Sequence, residues 1–213
     1  MHIFYMPGSP QIIGIAGGSC AGKTWLAERI SQPLGDKAVR LSLDDFYLDR
    51  SHLSVARRAR LNFDHPRSID WKRVKQALGA FQKNRRVSVP CYDFTTHARC
   101  AREDALQPAP VVLVEGLWLF RNPSVRRMFS LKIFIRSNEQ LCVTRRLKRD
   151  IRERGRTRRQ VLDQLERFTL PSFERFVAPQ EKWADVILEA PVSAAEVSQL
   201  TNRIAENLCA FGL

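Results

Sequence analysis

Apolar residues fall along this chain in short runs separated by polar, glycine-bearing or proline-bearing breaks. Gln11–Ala16 and Val111–Val114 are β-branched runs of the kind that makes parallel strands buried on both faces. Ala38–Leu43, Leu131–Ile135 and Asp185–Leu188 read as three further strands. Trp25, Leu26 and Ile30 recur at helical spacing, predicting a helix from Lys23 to Ser31 that stops before Pro33. Asp70–Phe81 puts Trp71, Val74, Leu78 and Phe81 on one helical face with Asp70 as the cap, and Trp71 is expected in the core. Val87–Phe94 alternates as a strand that Pro90 confines to an edge, and Thr96–Arg102 is its expected hairpin partner in a small sheet outside the main one. Glu139–Arg152 reads as a basic helix broken at Gly155, and Thr157–Phe168 begins another. Pro171 and Pro179 are expected to divide the next segment into short pieces, ahead of a closing helix over Ser193–Leu208. Residues 1–10 read as a loose lead-in, and Arg50–Asn62 as a mobile excursion.

A length of 213 residues suits one α/β domain with a small excursion, over about 46–105, and an arginine-rich lid over about 145–170. No run of 18 apolar residues exists, and the start of the chain lacks a basic segment followed by an apolar one and a cleavage site. Neither a membrane span nor a secretion signal is therefore expected. Five widely spaced cysteines form neither a disulfide framework nor a zinc pattern, which fits a reducing cytoplasm. The net charge of +13 asks for a polyanion. Arg145–Arg159 holds nine Lys/Arg against Asp150 and Glu153, and could grip nucleic acid, close over a triphosphate or form a solvated helix face. A phosphate site elsewhere in the chain favours the triphosphate.

Such a site follows the first strand. Gly17-Gly18-Ser19-Cys20-Ala21-Gly22-Lys23-Thr24 links strand to helix, and its glycines let successive N–H groups turn inward onto phosphate oxygens. The helix N-terminus adds unpaired donors and the positive end of its dipole. Lys23 supplies charge to the β- and γ-phosphates, and Thr24 offers a hydroxyl to Mg²⁺. The second strand delivers Asp44-Asp45-Phe46-Tyr47 at its C-terminal end, where ligands sit in open parallel sheets. Adjacent side chains leaving a strand point to opposite sides, so only one of the two aspartates faces the crevice. Val111–Gly116 ends in Glu115, a carboxylate placed to hold Mg²⁺ directly or through water.

GGSCAGKT, LDDFY, NFDHP, PCYDFTTHAR, VVLVEGLW, RRLKRDIRERGR and PQEKWADVIL together resemble the uridine kinases, within the wider group that includes phosphoribulokinase. The likeness runs from Ile12 to Leu188. It implies a P-loop NTPase fold, with a five-stranded parallel sheet flanked by helices and a β-hairpin beside the pocket. It also implies ATP- and Mg²⁺-dependent phosphorylation of the 5′-hydroxyl of a pyrimidine nucleoside. Asp44 would be the base, and Lys23 the cation on the transferring phosphate. Asp64 would hold the ribose hydroxyls, with Arg156 and Gln164 nearby; Tyr47, Tyr92, Phe94 and His97 would contain and read the base. Arg146 would belong to the substrate side of the lid, and Arg149 and Arg154 to its phosphate side. Thr24 and Glu115 would serve the metal.

The chain departs from the family pattern at four places. Trp25 replaces a small hydroxyl residue and is expected to pack under the first helix; Cys20 stands where Ser or Ala is common. Arg136-Ser137-Asn138 ends a strand where aspartates are usual, and could alter nucleotide choice or the lid. Trp118 could narrow a neighbouring pocket. Kinase chemistry on another small alcohol, or a nucleotide- or RNA-binding regulatory role, remain the alternatives, although no nucleic-acid partner is expected. GTP in place of ATP, uridine against cytidine, and assembly into homo-oligomers are left open.

Overall fold

The structure is a computed structural model that describes residues 9–58 and 61–210, with the side chains of all of these except Val55, Cys209 and Ala210. Most of the expected lead-in, residues 1–8, lies outside the described residues, as does part of the excursion at 59–60. The strands are β1 (Gln11–Gly17), β2 (Ala38–Ser42), β3 (Val87–Asp93), β4 (Ala98–Leu106), β5 (Val111–Gly116), β6 (Leu131–Arg136) and β7 (Val186–Glu189). The helices are α1 (Lys23–Leu34), α2 (Val55–Arg58), α3 (Trp71–Gln82), α4 (Pro123–Arg126), α5 (Glu139–Arg154), α6 (Arg158–Gln164), α7 (Leu170–Ser172) and α8 (Ala194–Ala210).

Five strands form one parallel sheet in the order β2-β5-β1-β6-β7, with β1 at the centre. Every residue of β1 and β5 is buried, which is why these two read as continuous apolar runs rather than alternating ones. Alternation decides the face. Ile13 and Ile15 of β1 pack with Leu26 and Ile30 of α1 and Leu200 and Ile204 of α8. Ile12 and Ala16 face the other layer, with Val74, Leu78 and Phe81 of α3 and Phe120, Phe129 and Phe176. None of the described helices is long and apolar enough to cross a membrane.

β3 and β4 make a separate antiparallel pair, as the alternation across Pro90 predicts, with a register shift between Pro90 and Tyr92. The side chain of Asp70 caps α3 by accepting from the Arg73 amide. Trp71 is only partly buried, packing against the core while its Nε1 donates to the Pro66 carbonyl at 2.9 Å.

Three expectations are corrected. α1 runs through Pro33 to Leu34, because a proline in a final turn removes only one amide donor, and Gly35 ends the helix. Pro171 and Pro179 do not divide the chain between α6 and β7; helical turns are continuous over 158–183, with wider π turns at Leu165–Thr169 and Phe173–Val177 on either side of α7. Widened turns are a usual way for a helix to absorb a bend. Leu43 leaves the strand for a 3₁₀ turn, Leu43–Phe46, so Asp44 and Asp45 are carried on a turn rather than on extended backbone.

Candidate active site

The turn from β1 into α1 builds the first wall. Gly22 adopts a φ of 108° as the N-cap of α1, a conformation that a side chain would strain. Lys23 is buried, and its Nζ donates to the Gly18 carbonyl at 2.8 Å, so the ammonium spans the mouth of its own loop. Thr24 Oγ1 donates to Glu115 Oε1 at 3.2 Å, and Ser42 Oγ donates to the same oxygen at 2.8 Å. Ser42 also caps the 3₁₀ turn by accepting from the Asp44 amide, which ties the Asp44 turn to the end of β5. That approach needs Gly116, since a Cβ there would meet the Leu43 Cβ at 2.3 Å. Burial, with the Asp44 carboxylate close by, raises the Glu115 pKa against the lowering pull of Lys23 and the two hydroxyl donors.

A cavity of about 490 Å³ opens here, lined among others by Lys23, Thr24, Asp44, Glu115, Asp64 and Phe94. Asp45 faces away, into a separate recess between α1 and β2. Burial there, with Asp44 and Glu115 nearby, pushes its pKa up to about 7. The opposition of the two aspartates expected of an extended strand is thus kept by the tighter turn.

Mg²⁺ keeps several waters and takes only one or two protein oxygens beside phosphate oxygens. A buried carboxylate already gathering the Thr24 and Ser42 hydroxyls, its pKa raised, suits such a cation, whose charge would offset the cost of ionising it.

Arginines form the second wall. Asp150 of α5 has no exposed surface and meets Arg149 at 2.8 Å, Arg156 at 3.1 Å, Arg154 at 3.5 Å and Arg146 at 3.7 Å. Burial raises its pKa, but the charges of Arg149, Arg154 and Arg146 outweigh that and hold it below the usual carboxylate value. Arg145, Arg146, Arg149 and Arg154 all line the cavity, and Arg145 Nη1 donates to the Cys20 carbonyl at 3.3 Å. Asp64 joins this wall, 3.6 Å from Arg146, and accepts from Thr169 Oγ1 at 2.9 Å.

Beyond Asp64 lies an aromatic recess. Tyr47 packs on Tyr92 at 4.9 Å and edge-on against Phe63, Phe94 and Trp118. His97, at the hairpin turn with a φ of 52°, stacks flat on Phe63 at 4.4 Å. Its Nε2 lies 3.4 Å from Arg156 Nη2, and Arg156 also donates to Gln164. Burial and the charges of Arg156 and Arg154 lower the His97 pKa to about 4, so the ring is neutral at pH 7. Tyr92 is buried, and its hydroxyl has no hydrogen-bond partner among the described residues. Arg154 lies 4.3 Å over the Phe94 ring, joining recess to arginine wall. Of the residues expected on the substrate side, Tyr47, Asp64, Phe94 and Arg146 line the large cavity, whereas Tyr92, His97, Arg156 and Gln164 stand one layer behind it.

A model of the phosphoribulokinase / uridine kinase family matches residues 12–197. The chain belongs to that family. A uridine kinase of Chloroflexus aggregans is 41% identical over 180 residues, covering 84% of this chain and 86% of that protein. One from Shewanella frigidimarina is 36% identical over 182 residues, 83% of this chain and 86% of that protein. Phosphoribulokinase of Rhodobacter spheroides, 18% identical, superposes over 85% of this chain and 70% of its own with a TM-score of 0.61, a likeness of fold. The P-loop α/β fold expected of the family is the fold observed.

Two departures from the family pattern fall differently from expectation. Trp25 is 39% exposed rather than packed under α1, because Leu26, Ala27 and Ile30 occupy the inner face and residue 25 is turned off it. Its ring lies at the rim of the large cavity with Pro191 and Val192, and Arg29 stacks over it at 5.6 Å. Arg136 is absent from the lining of that cavity; it pairs with Glu181 and Glu189, clamping the end of β6 to its neighbours. Trp118, fully buried, does line a smaller cavity of about 140 Å³ behind Gly18 and Ser19, together with Asp64, Arg146 and Phe173.

Ser42 and Asp150 escaped the sequence reading. Only Asp150 left a signal, four residues from both Arg146 and Arg154; Ser42 meets Glu115 through the register of β2 on β5.

Proposed function

We propose that the protein transfers the γ-phosphoryl group of ATP or GTP, with Mg²⁺, to the 5′-hydroxyl of uridine or cytidine. The reading rests on one observation above all. Asp44 opens on the same cavity as Lys23, Thr24 and Glu115, and that cavity continues past Asp64 to Tyr47 and Phe94. A donor phosphate chain along the loop and an acceptor hydroxyl beside Asp44 would meet in line.

The transfer needs alignment and positive charge more than covalent help. The loop amides and the α1 N-terminus cradle the phosphates, and Lys23 exchanges the Gly18 carbonyl for a γ-phosphate oxygen. Mg²⁺ held at Thr24 and Glu115 would neutralise charge on the β- and γ-oxygens. Arg149 and Arg154, already gathered around Asp150, supply fork-shaped donors to the developing charge. Asp44 takes the hydroxyl proton as the phosphoryl group departs. Trp25, Pro191 and Val192 form an apolar rim for the donor base, and stacking on an aromatic face accepts any purine, in keeping with either donor. Asp64 accepts the ribose hydroxyls in place of Thr169. Tyr47 and Phe94 would contain the pyrimidine from the cavity wall, with Tyr92 packed behind both and neutral His97 stacked on Phe63.

The test is a coupled ADP-release assay with uridine, cytidine, other nucleosides, small sugar alcohols and RNA. Release driven by uridine or cytidine supports the reading. Release driven only by another alcohol, or by RNA alone, overturns it.

A further inference from the structure

The hairpin that carries Tyr92, Phe94 and His97 also carries two thiols for which this chemistry has no use. Asp93 pairs with Ala98 and Tyr92 with Arg99 across β3 and β4. Continuing that register by one step would set Cys91 opposite Cys100, and their sulfurs do meet. The ladder shifts just there, between Pro90 and Tyr92, so the pair lies at a bulge where strand pairing is interrupted. The Sγ atoms are 2.8 Å apart, and both cysteines are half-buried and free. Directly opposed strand residues have Cβ atoms about 4.5–5.5 Å apart and a disulfide spans about 3.5–4.5 Å, so a small inward shift at the bulge suffices to close the bond.

We propose that Cys91 and Cys100 form a redox-active dithiol, which closes to a cross-strand disulfide by exchange with a small-molecule disulfide. One protein thiolate attacks the external S–S bond, expelling one small thiolate and leaving a mixed disulfide. The second protein thiolate attacks the protein sulfur of that adduct and expels the other small thiolate. Two electrons pass from the protein to the external disulfide, and the two protein protons end on the released thiols. Reduction by excess small thiol runs the same steps backwards. In a reducing compartment such a bond is transient and forms under oxidative load.

Closure acts on the hairpin tip. The tip is held by Asp93, which accepts from the Thr95 amide at 2.8 Å and the Thr96 hydroxyl at 2.7 Å. On the other strand Arg99 is anchored to the Tyr47 carbonyl and to Asp70. A covalent bond between the neighbours of Tyr92 and Arg99 joins these two anchorages, and residues 93–98 open less often.

The reduced full-length chain is incubated with glutathione disulfide, blocked with N-ethylmaleimide, digested and weighed by mass spectrometry. The expected product is an intramolecular Cys91–Cys100 peptide two hydrogens lighter than its reduced form. Dithiothreitol reverses it, and neither Cys91→Ser nor Cys100→Ser yields it. Amide hydrogen exchange over 93–98 should be about tenfold slower in the oxidised protein. Glutathione adducts on both cysteines without the disulfide peptide, or a disulfide with unchanged exchange at the tip, would overturn the proposal. These readouts do not depend on the function proposed above. A further arm does rest on it: oxidation should change KM for the nucleoside and leave that for the donor alone. If no nucleoside is turned over while mass and exchange respond as expected, the kinase reading fails and the dithiol stands.

Discussion

Around the phosphate loop, the groups that face the cavity are amides and side chains of one short stretch, Ser19 to Trp25, held between two buried strands and a helix. On the opposite side, Asp64, Phe94, Arg146 and Arg154 arrive from a polar turn, a hairpin and a long basic helix, and meet through one another and through Asp150. The first wall is fixed by local backbone geometry. The second is fixed by a buried carboxylate shared among four arginines, and by stacked rings. A wall made of local geometry should tolerate side-chain loss and fail only in chemistry. A wall made of mutual contacts should lose stability and ligand together.

The largest effect should come from Lys23→Ala. The variant removes a cation aimed at the transferring phosphate and should abolish detectable transfer, a loss of the order of the ~10³–10⁵-fold that an arginine finger supplies to such a transition state. Circular dichroism should stay near wild type, because the Lys23 hydrogen bond closes within its own loop and its pull on Glu115 is one among several. Wild-type turnover in a folded variant would remove the kinase reading altogether.

Asp44→Asn keeps shape and loses basicity, so kcat should fall ~10²–10⁴-fold with donor affinity little changed. Asp45→Asn should lose far less rate and should alter stability in a pH-dependent way. With its folded pKa raised to about 7, Asp45 favours folding while protonated and loses that contribution as pH rises from 3.8 through 7. The asparagine variant should therefore gain Tm relative to wild type above neutrality and show no gain below 3.8, the ordinary value for an aspartate. Reversal of the two kinetic rankings would hand the base assignment to Asp45.

Asp150→Ala breaks the contrast from the other side. Removing one partner of a buried ionic cluster costs ~3–5 kcal/mol, here because Arg146 is left buried beside its fellow arginines. Urea unfolding should show this loss, together with weakened binding of both ligands. A stable variant with an intact lid would mean that the arginines are held by something other than Asp150.

Tyr92→Ala and His97→Ala should weaken nucleoside binding by ~1–3 kcal/mol, about 5- to 150-fold, and leave ATP nearly untouched. Calorimetric titration of each ligand separates the two halves. Equal losses for both ligands would merge the walls into one.

Where function rides on backbone turns, the sequence was explicit. Gly17 to Thr24 could be read as a phosphate site because strand, loop and helix occupy one continuous stretch, and each residue's part follows from its neighbours. The five strands were legible for the same reason: runs such as Val111–Val114 have no other place to go than the middle of a sheet. The π turns on either side of α7 were not legible, because Pro171 marks a break in any local rule, yet the helical turns run past it with Leu165 and Phe176 buried. Trp25 looked like a core residue by type, yet the inner face of α1 was already filled. Asp150 looked like one acid in a basic run. Its role as the hub of four arginines depends on α5 turning at Gly155, which brings Arg156 back onto the same carboxylate that Arg146 and Arg154 reach along the helix. Ser42 and Glu115 share an oxygen-to-hydroxyl bond because β2 and β5, far apart in the chain, lie side by side in register. The sequence by itself determined the elements and the phosphate loop, since those are set by periodicity and by residues a few places apart. Only the tertiary structure decided which arginines share one partner, which hydroxyls gather on Glu115, and which thiols meet across the hairpin, since these are distances between segments that no local pattern records.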